Sequence, residues 1–346
     1  MQSSSRPIQR IGAVAAWVAA SASFAAVATE AAGQEAGAQP APAKSLAQQI
    51  FDTMVQAGAK PGYRVAHAKG IVCEGTFAPS KAAATLSKAS HFNGATIPVT
   101  ARFSNGSADP STPDNSPDAG PQGMAIRFVL PGGGKTEIVA LAHNGFVVGT
   151  GQDFLALEKA AVATDPSKPH PWPIEVFLGA HPLAAKFVQE SRAVPASFGT
   201  EGFFSNNAFI FVNKDGVKQA GRYKILPFAG QHNLTDKEAR AKSPDFLAAE
   251  LRTRLKRGPI KFHLIVQLAN PGDPTNDGSL VWPDDRKTID VGTISITSVV
   301  ADSDAAQKVL VFFPTTLIDG IELSDDPLPS LRTSVYVLSF ARRQQQ

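Results

Sequence analysis

Arg64-Val65-Ala66-His67-Ala68-Lys69-Gly70-Ile71-Val72-Cys73-Glu74-Gly75-Thr76-Phe77 joins a basic, histidine-bearing loop to an apolar run opened by glycine. The run 70–77 reads as a strand, and six more runs of the same kind follow between Gly, Pro, Asn and Asp turns, at 97–104, 124–130, 137–142, 208–212, 261–269 and 293–299. Seven or eight such strands predict a closed antiparallel barrel, since closure leaves no exposed edge. Helical patterns lie between and around them. Leu46, Ile50 and Met54 recur every four positions over 45–57, with Ser45 as N-cap and Gly58 and Pro61 as stops. Further helices are predicted at 152–163, 173–191 and 243–256, and a last one from near Pro329. The expected architecture is α+β, one domain over 45–346 with inserted and flanking helices covering the barrel.

Of 346 residues, 43% are apolar and 18% charged, and the net charge is +3. This balance fits a globular chain; with no run of Lys and Arg interleaved with aromatics, it argues against a nucleic-acid partner. Arg6 and Arg10 precede an Ala-rich apolar run at 11–27, and small residues follow at 31–33. The pattern predicts a signal peptide over 1–33, cleaved after Ala28 or Gly33, then a flexible leader over 34–44. The expected location is the periplasm, with no stable membrane insertion after cleavage; an uncleaved anchor is the alternative. The single cysteine, Cys73, excludes an internal disulfide, and its place on a strand predicts core packing rather than a nucleophile with His67 as base. Pro131-Gly132-Gly133-Gly134-Lys135-Thr136 resembles a phosphate loop only superficially. Lys135 leads into a strand rather than a helix, so a hairpin turn is expected.

Near the other end stands Arg332-Thr333-Ser334-Val335-Tyr336. Four residues apart on a helix, guanidinium and phenol share a face. A guanidinium donating to a phenol oxygen favours the anion, a hard ligand by which proteins hold haem iron. Alone, such a spacing is ordinary in helices.

The two clusters together are more specific. Arg64 to Gly70 resembles the distal-histidine segment of the haem catalase family, and Arg102-Phe103-Ser104 resembles that family's next signature. Gly123-Met124-Ala125-Ile126-Arg127-Phe128, Val281-Trp282-Pro283 with Val291-Gly292, and Arg332 to Tyr336 follow in the family's order. The resemblance spans roughly 46–343, and the stretch from Asp319-Gly320-Ile321-Glu322 to Ser324-Asp325-Asp326-Pro327 is similar to small catalase-related peroxidases. In these the barrel is kept, while the amino-terminal arm, wrapping domain and carboxy-terminal helical domain of large catalases are reduced or missing.

The resemblance implies haem, of b-type and non-covalent since no C-x-x-C-H motif occurs. It implies Tyr336 as axial ligand to the iron with Arg332 beside it, His67 as distal acid–base group with Ser104 fixing its tautomer, and Arg64 and Arg102 holding propionates. Phe154 is implied against the haem face. Asn144 is the nearest match to the family's distal asparagine, but it lacks the family's following sequence, so His143 is an alternative for the same place. Gln122 and Ala66 replace a family arginine and valine, changes that would admit bulkier reductants. The implied activity is reduction of hydrogen peroxide, or small organic hydroperoxides, with oxidation of small organic reductants and weak catalase activity. A haem carrier without turnover and a hydroperoxide-rearranging haem enzyme are the alternatives.

Overall fold

The computed structural model describes residues 43–345. The signal-peptide reading falls outside the described residues, as does the leader up to 42. Ser45 caps helix α1 (Leu46–Gln56) as expected, its Oγ accepting from the Gln48 amide at 3.2 Å.

The strands are β1 (Gly70–Pro79), β2 (Ile97–Ser104), β3 (Gly123–Val129), β4 (Lys135–Leu141), β5 (Val194–Pro195), β6 (Phe203–Phe204), β7 (Phe209–Val212), β8 (Lys218–Pro227), β9 (Asn233–Leu234), β10 (Ile260–Leu268), β11 (Thr288–Val299) and β12 (Ile321–Leu323). Antiparallel neighbours run β10-β11-β1-β2-β3-β4-β6-β8, and β8 pairs back onto β10, closing an 8-strand barrel. β7 and β12 extend from the β8 edge outside that circle. The helices after α1 are α2 (Ala83–Leu86), α3 (Gly151–Val162), α4 (Pro173–Ala180), α5 (Pro182–Glu190), α6 (Asp236–Arg240), α7 (Phe246–Leu255), α8 (Ser303–Val309) and α9 (Leu328–Gln344).

Two expectations need correction, and a third is met. The strand at 208–212 exists but is not a barrel stave; β8, absent from the sequence reading, takes that place. Its inward face offers Tyr223 and Ile225 but also Gly221, where a Cβ would lie 2.5 Å from Val266, so the apolar alternation is broken. The single helix expected over 173–191 is two, because Pro182 has no N–H to continue the ladder and starts α5 instead. The Pro131–Thr136 stretch forms the β3–β4 hairpin turn, with Gly132 and Gly133 at φ +86° and +90°, as expected of a turn.

Side chains alternate across each strand. Inward, Val99, Ala101 and Phe103 of β2, Met124, Ile126 and Phe128 of β3, and Ile138 and Ala140 of β4 join the barrel core with Phe77, Phe203 and Phe262. Phe103 lies 5.9 Å from Phe203 and 6.1 Å from Phe262, ring centre to ring centre. Cys73 is in this interior, fully buried, and burial pushes its thiol up to about 12. Outward, the register sets Arg102 beside Ala125, and Ser104 beside Gly123, which in turn faces Leu141. Helices α1, α3 and α9 pack together over this outer face and enclose a cavity of about 350 Å³.

Candidate active site

The cavity wall takes one face of α9: Leu328, Leu331, Arg332, Val335, Tyr336, Ser339 and Arg343, at the spacing of successive helical turns. Arg332 donates to the Tyr336 phenol oxygen from Nε at 3.2 Å and Nη2 at 3.1 Å. Its remaining Nη1 donates to Asn207 Oδ1 at 2.7 Å, and Asn207 Nδ2 donates to Asp326 Oδ2 at 2.7 Å. Asp326 Oδ1 accepts the Leu328 amide at 2.8 Å, tying the chain of groups to the start of the same helix. Arg332 is therefore oriented from behind, and the phenol oxygen is fixed by a two-donor fork.

His67 enters the same cavity from the loop before β1. Its backbone is left-handed, φ +53°, a conformation that costs a non-glycine residue energy and persists only when its surroundings enforce it. Arg102 Nη2 does so, donating to the carbonyls of His67 at 2.9 Å and Ala68 at 3.2 Å. Nδ1 lies 2.8 Å from the Asn105 carbonyl and 3.1 Å from Ser104 Oγ. A carbonyl cannot donate, so Nδ1 carries the hydrogen and Nε2 keeps its lone pair. Ser104 touches His67 as expected, but the nearer Asn105 carbonyl sets the tautomer. Burial, then the positive charge of Arg102, lowers the imidazole to about 4, so it is neutral at pH 7. Gly123 leaves the ring its room, for a Cβ there would stand 3.0 Å from His67 and from Ser104 Oγ.

Arg64, Arg102 and Arg343 all line the cavity. Arg64 donates to the Leu310 carbonyl at 2.8 Å, Arg343 to the carbonyls of Lys308 at 2.9 Å and Leu310 at 2.8 Å, and Arg102 also to Gln307 Oε1 at 3.1 Å. Among the described residues none of the three pairs with a carboxylate within 4.0 Å. Burial lowers Arg102 to about 9, with the Arg343 charge adding; burial, then Arg102 and Arg343, also drives Arg64 well down. Clustered, desolvated guanidinium groups without a counter-charge are costly unless an anion joins them. The residues thus fit a flat apolar group bearing carboxylates at one edge and a metal open to a phenol oxygen, which is the chemistry of haem.

Phe154 lines the cavity and stacks on Phe146 at 5.9 Å and 24°. The two candidates for the distal amide position, Asn144 and His143, stand elsewhere. His143 turns away, with Nε2 at 3.0 Å from Glu190 and the ring 4.6 Å from Phe187, and neither His143 nor Asn144 is part of the cavity wall. The cause is the turn after β4: Gly145, at φ +113°, reverses the backbone and brings Phe146, rather than its predecessors, into the wall. Gln122 is buried but also stands outside the wall, whereas Ala66 is part of it. Sequence reasoning missed Asn207, Asp326 and Arg343. Arg343 could have been found, since it continues the helical face of Arg332 and Tyr336; Asn207 is joined to it only by the fold.

Against known proteins, the catalase family model matches residues 51–344. A catalase-related peroxidase of Mycolicibacterium paratuberculosis is 38% identical over 83% of this chain and 90% of its own. Another, of Synechococcus elongatus, is 31% identical over 83% of this chain and 85% of its own. The crystal structure of a fungal catalase superposes with a TM-score of 0.74 at 19% identity, covering 92% of this chain and 67% of that one, a likeness of fold. With the family match over most of the chain and these relatives beside it, the chain belongs to the catalase family and is an oxidoreductase acting on peroxide.

Proposed function

We propose that the protein is a haem peroxidase that reduces hydrogen peroxide with small organic donors and retains weak catalase activity, with Tyr336 as the axial ligand and His67 as the distal acid–base group. The observation that carries this reading is a guanidinium-held phenol and a neutral histidine sharing one cavity with three arginines that lack carboxylate partners. Arg64, Arg102 and Arg343 would hold the two propionates. Cys73 faces the barrel interior, on the opposite side of the sheet from the cavity, which supports non-covalent, b-type haem. When bound, haem supplies the redox-active iron at which the peroxide O–O bond is broken.

The protein's own part is the proton. With Nδ1–H given to the Asn105 carbonyl, His67 Nε2 accepts the proton from the near oxygen of hydrogen peroxide and returns it to the far oxygen, which leaves as water. An imidazole lowered to about 4 holds that proton weakly, which favours its return to the leaving oxygen. Asn105 and Ser104 keep the ring in one orientation through both transfers. Ala66 beside His67 leaves space above this site, and for that reason organic donors are favoured as the second substrate over another peroxide.

The test is the visible absorption spectrum of the purified protein, before and after one equivalent of hydrogen peroxide and then guaiacol. A haem spectrum that changes with peroxide and is restored as guaiacol is oxidised is expected. Absence of haem would overturn the cofactor, and haem insensitive to peroxide would indicate a carrier. Fast dioxygen release with no guaiacol oxidation would reverse the order of the two activities. We also infer export to the periplasm from Arg6, Arg10 and the apolar run that follows; a mature protein whose first residue is not Thr29 or Gln34 by N-terminal sequencing would count against the stated cleavage sites.

A further inference from the structure

Glu158 stands on α3 one turn beyond Phe154 and lines the cavity. Nothing in the peroxide chemistry above uses it. The wall contains one other carboxylate, Asp118, and that one is paired with Arg192 at 3.3 Å. For Glu158, among the described residues, no hydrogen bond or ion pair reaches the carboxyl group. Around it the wall is apolar: Phe154 stacks on Phe146, Phe146 meets Phe187 edge-on at 6.5 Å, and Leu157 packs in the same cluster.

A carboxylate left unpaired among apolar side chains destabilises the fold, and a leucine there would serve packing better. Its placement makes sense if the cavity receives a guest that is apolar over most of its surface and carries a hydrogen-bond donor. The apolar wall around Glu158 makes a cationic guest costly to desolvate, which leaves a neutral donor. Aromatic side chains on α3, α5 and the segment between β4 and α3 suit a ring.

We propose that Glu158 receives the reducing substrate, accepting a hydrogen bond from the O–H or N–H of a small neutral phenol or arylamine whose ring lies against Phe146, Phe154 and Phe187. The proposal rests on the reading that an organic donor reduces the enzyme. Desolvation in the cavity pushes the Glu158 carboxyl up to about 7, so both its forms are present near neutrality, and each keeps an oxygen that accepts a hydrogen bond.

The experiment is equilibrium binding to the haem-loaded full chain without peroxide, followed calorimetrically, with p-cresol and its donor-free analogue p-xylene as probes. Wild type, Glu158→Leu and Glu158→Gln are compared at equal haem content and equal circular dichroism. The Kd for p-cresol should rise about tenfold in Glu158→Leu, the scale of one hydrogen bond, while that for p-xylene should stay the same or fall. Glu158→Gln, which keeps an acceptor oxygen and the side-chain shape, should restore part of the p-cresol affinity. Equal weakening of both probes would mean a structural role and overturn the proposal, as would p-cresol binding unchanged in Glu158→Leu or absent in wild type. Guaiacol oxidation by wild type is scored separately: if it occurs while Glu158→Leu binds p-cresol normally, this assignment fails and the peroxidase reading stands.

Discussion

The two faces of β2 and β3 divide the work of the molecule. Inward, Phe103, Ile126 and Phe128 are fully buried in an aromatic barrel core whose residues make no chemistry available. Outward, one position away along the same strands, Arg102, Ser104 and Gly123 hold or make room for His67. The period of two in a strand lets stability and chemistry be set almost independently by neighbouring residues. The inner face is apolar, whereas the outer face carries Arg102, bonded to carbonyl and amide oxygens rather than to a carboxylate, beside the left-handed His67.

If that division is real, the largest effect on turnover should come from the outer face at no cost to the barrel. His67→Ala should lower peroxide-dependent guaiacol oxidation by about 10²- to 10⁴-fold, the usual worth of a positioned acid–base group, with haem content and melting temperature near those of wild type. Turnover within a few-fold of wild type would break the comparison on its chemical side. The inner face should respond in the opposite way. Phe103→Ala should destabilise the fold by about 3–5 kcal/mol in denaturant unfolding, through the cavity it leaves against Phe198, Phe203 and Phe262, while activity per folded molecule is kept. A loss of activity per haem larger than the loss of folded protein would show that the faces are coupled.

The smallest effect sharpens the contrast between two histidines. His91 is in the barrel core against Phe77, Phe92 and Phe128, with Nδ1 unpartnered, and burial lowers it to about 3. Its folded value lies below the unfolded value of about 6.5, so in the window from there down to about 3 the unfolded chain binds a proton that the folded chain does not. Stability is complete above that window and falls as the pH falls through it. His67 acts with the same sign down to about 4. His91→Phe should therefore flatten the acid limb of the stability curve without altering peroxide chemistry; an unchanged limb would assign acid unfolding to other groups.

What could be read beforehand follows the same division. Local signals carried the cap at Ser45, the strands of β1 to β4 and the spacing of Arg332 and Tyr336, because each is decided by neighbours in sequence. β8 escaped because glycine interrupts its inward face while Lys218, Arg222 and Lys224 alternate with Ala220 and Leu226 on the outward one. Asn207 and Asp326 escaped because a relay joining positions 125 residues apart leaves no local trace. Asn144 stands outside the cavity wall, just before the turn at Gly145, and a resemblance in order does not by itself fix register there.

The central claim is that the Arg332-held phenol is what fastens haem iron. The most direct measurement is the haem-to-protein ratio and visible spectrum of Tyr336→Phe after purification beside wild type, a change that removes one oxygen and leaves the ring in place. Loss of most of the haem, or retention with an altered ligand spectrum, from a protein that keeps its circular dichroism is the predicted result; a haem-replete variant with the wild-type spectrum and full peroxidase activity would contradict it.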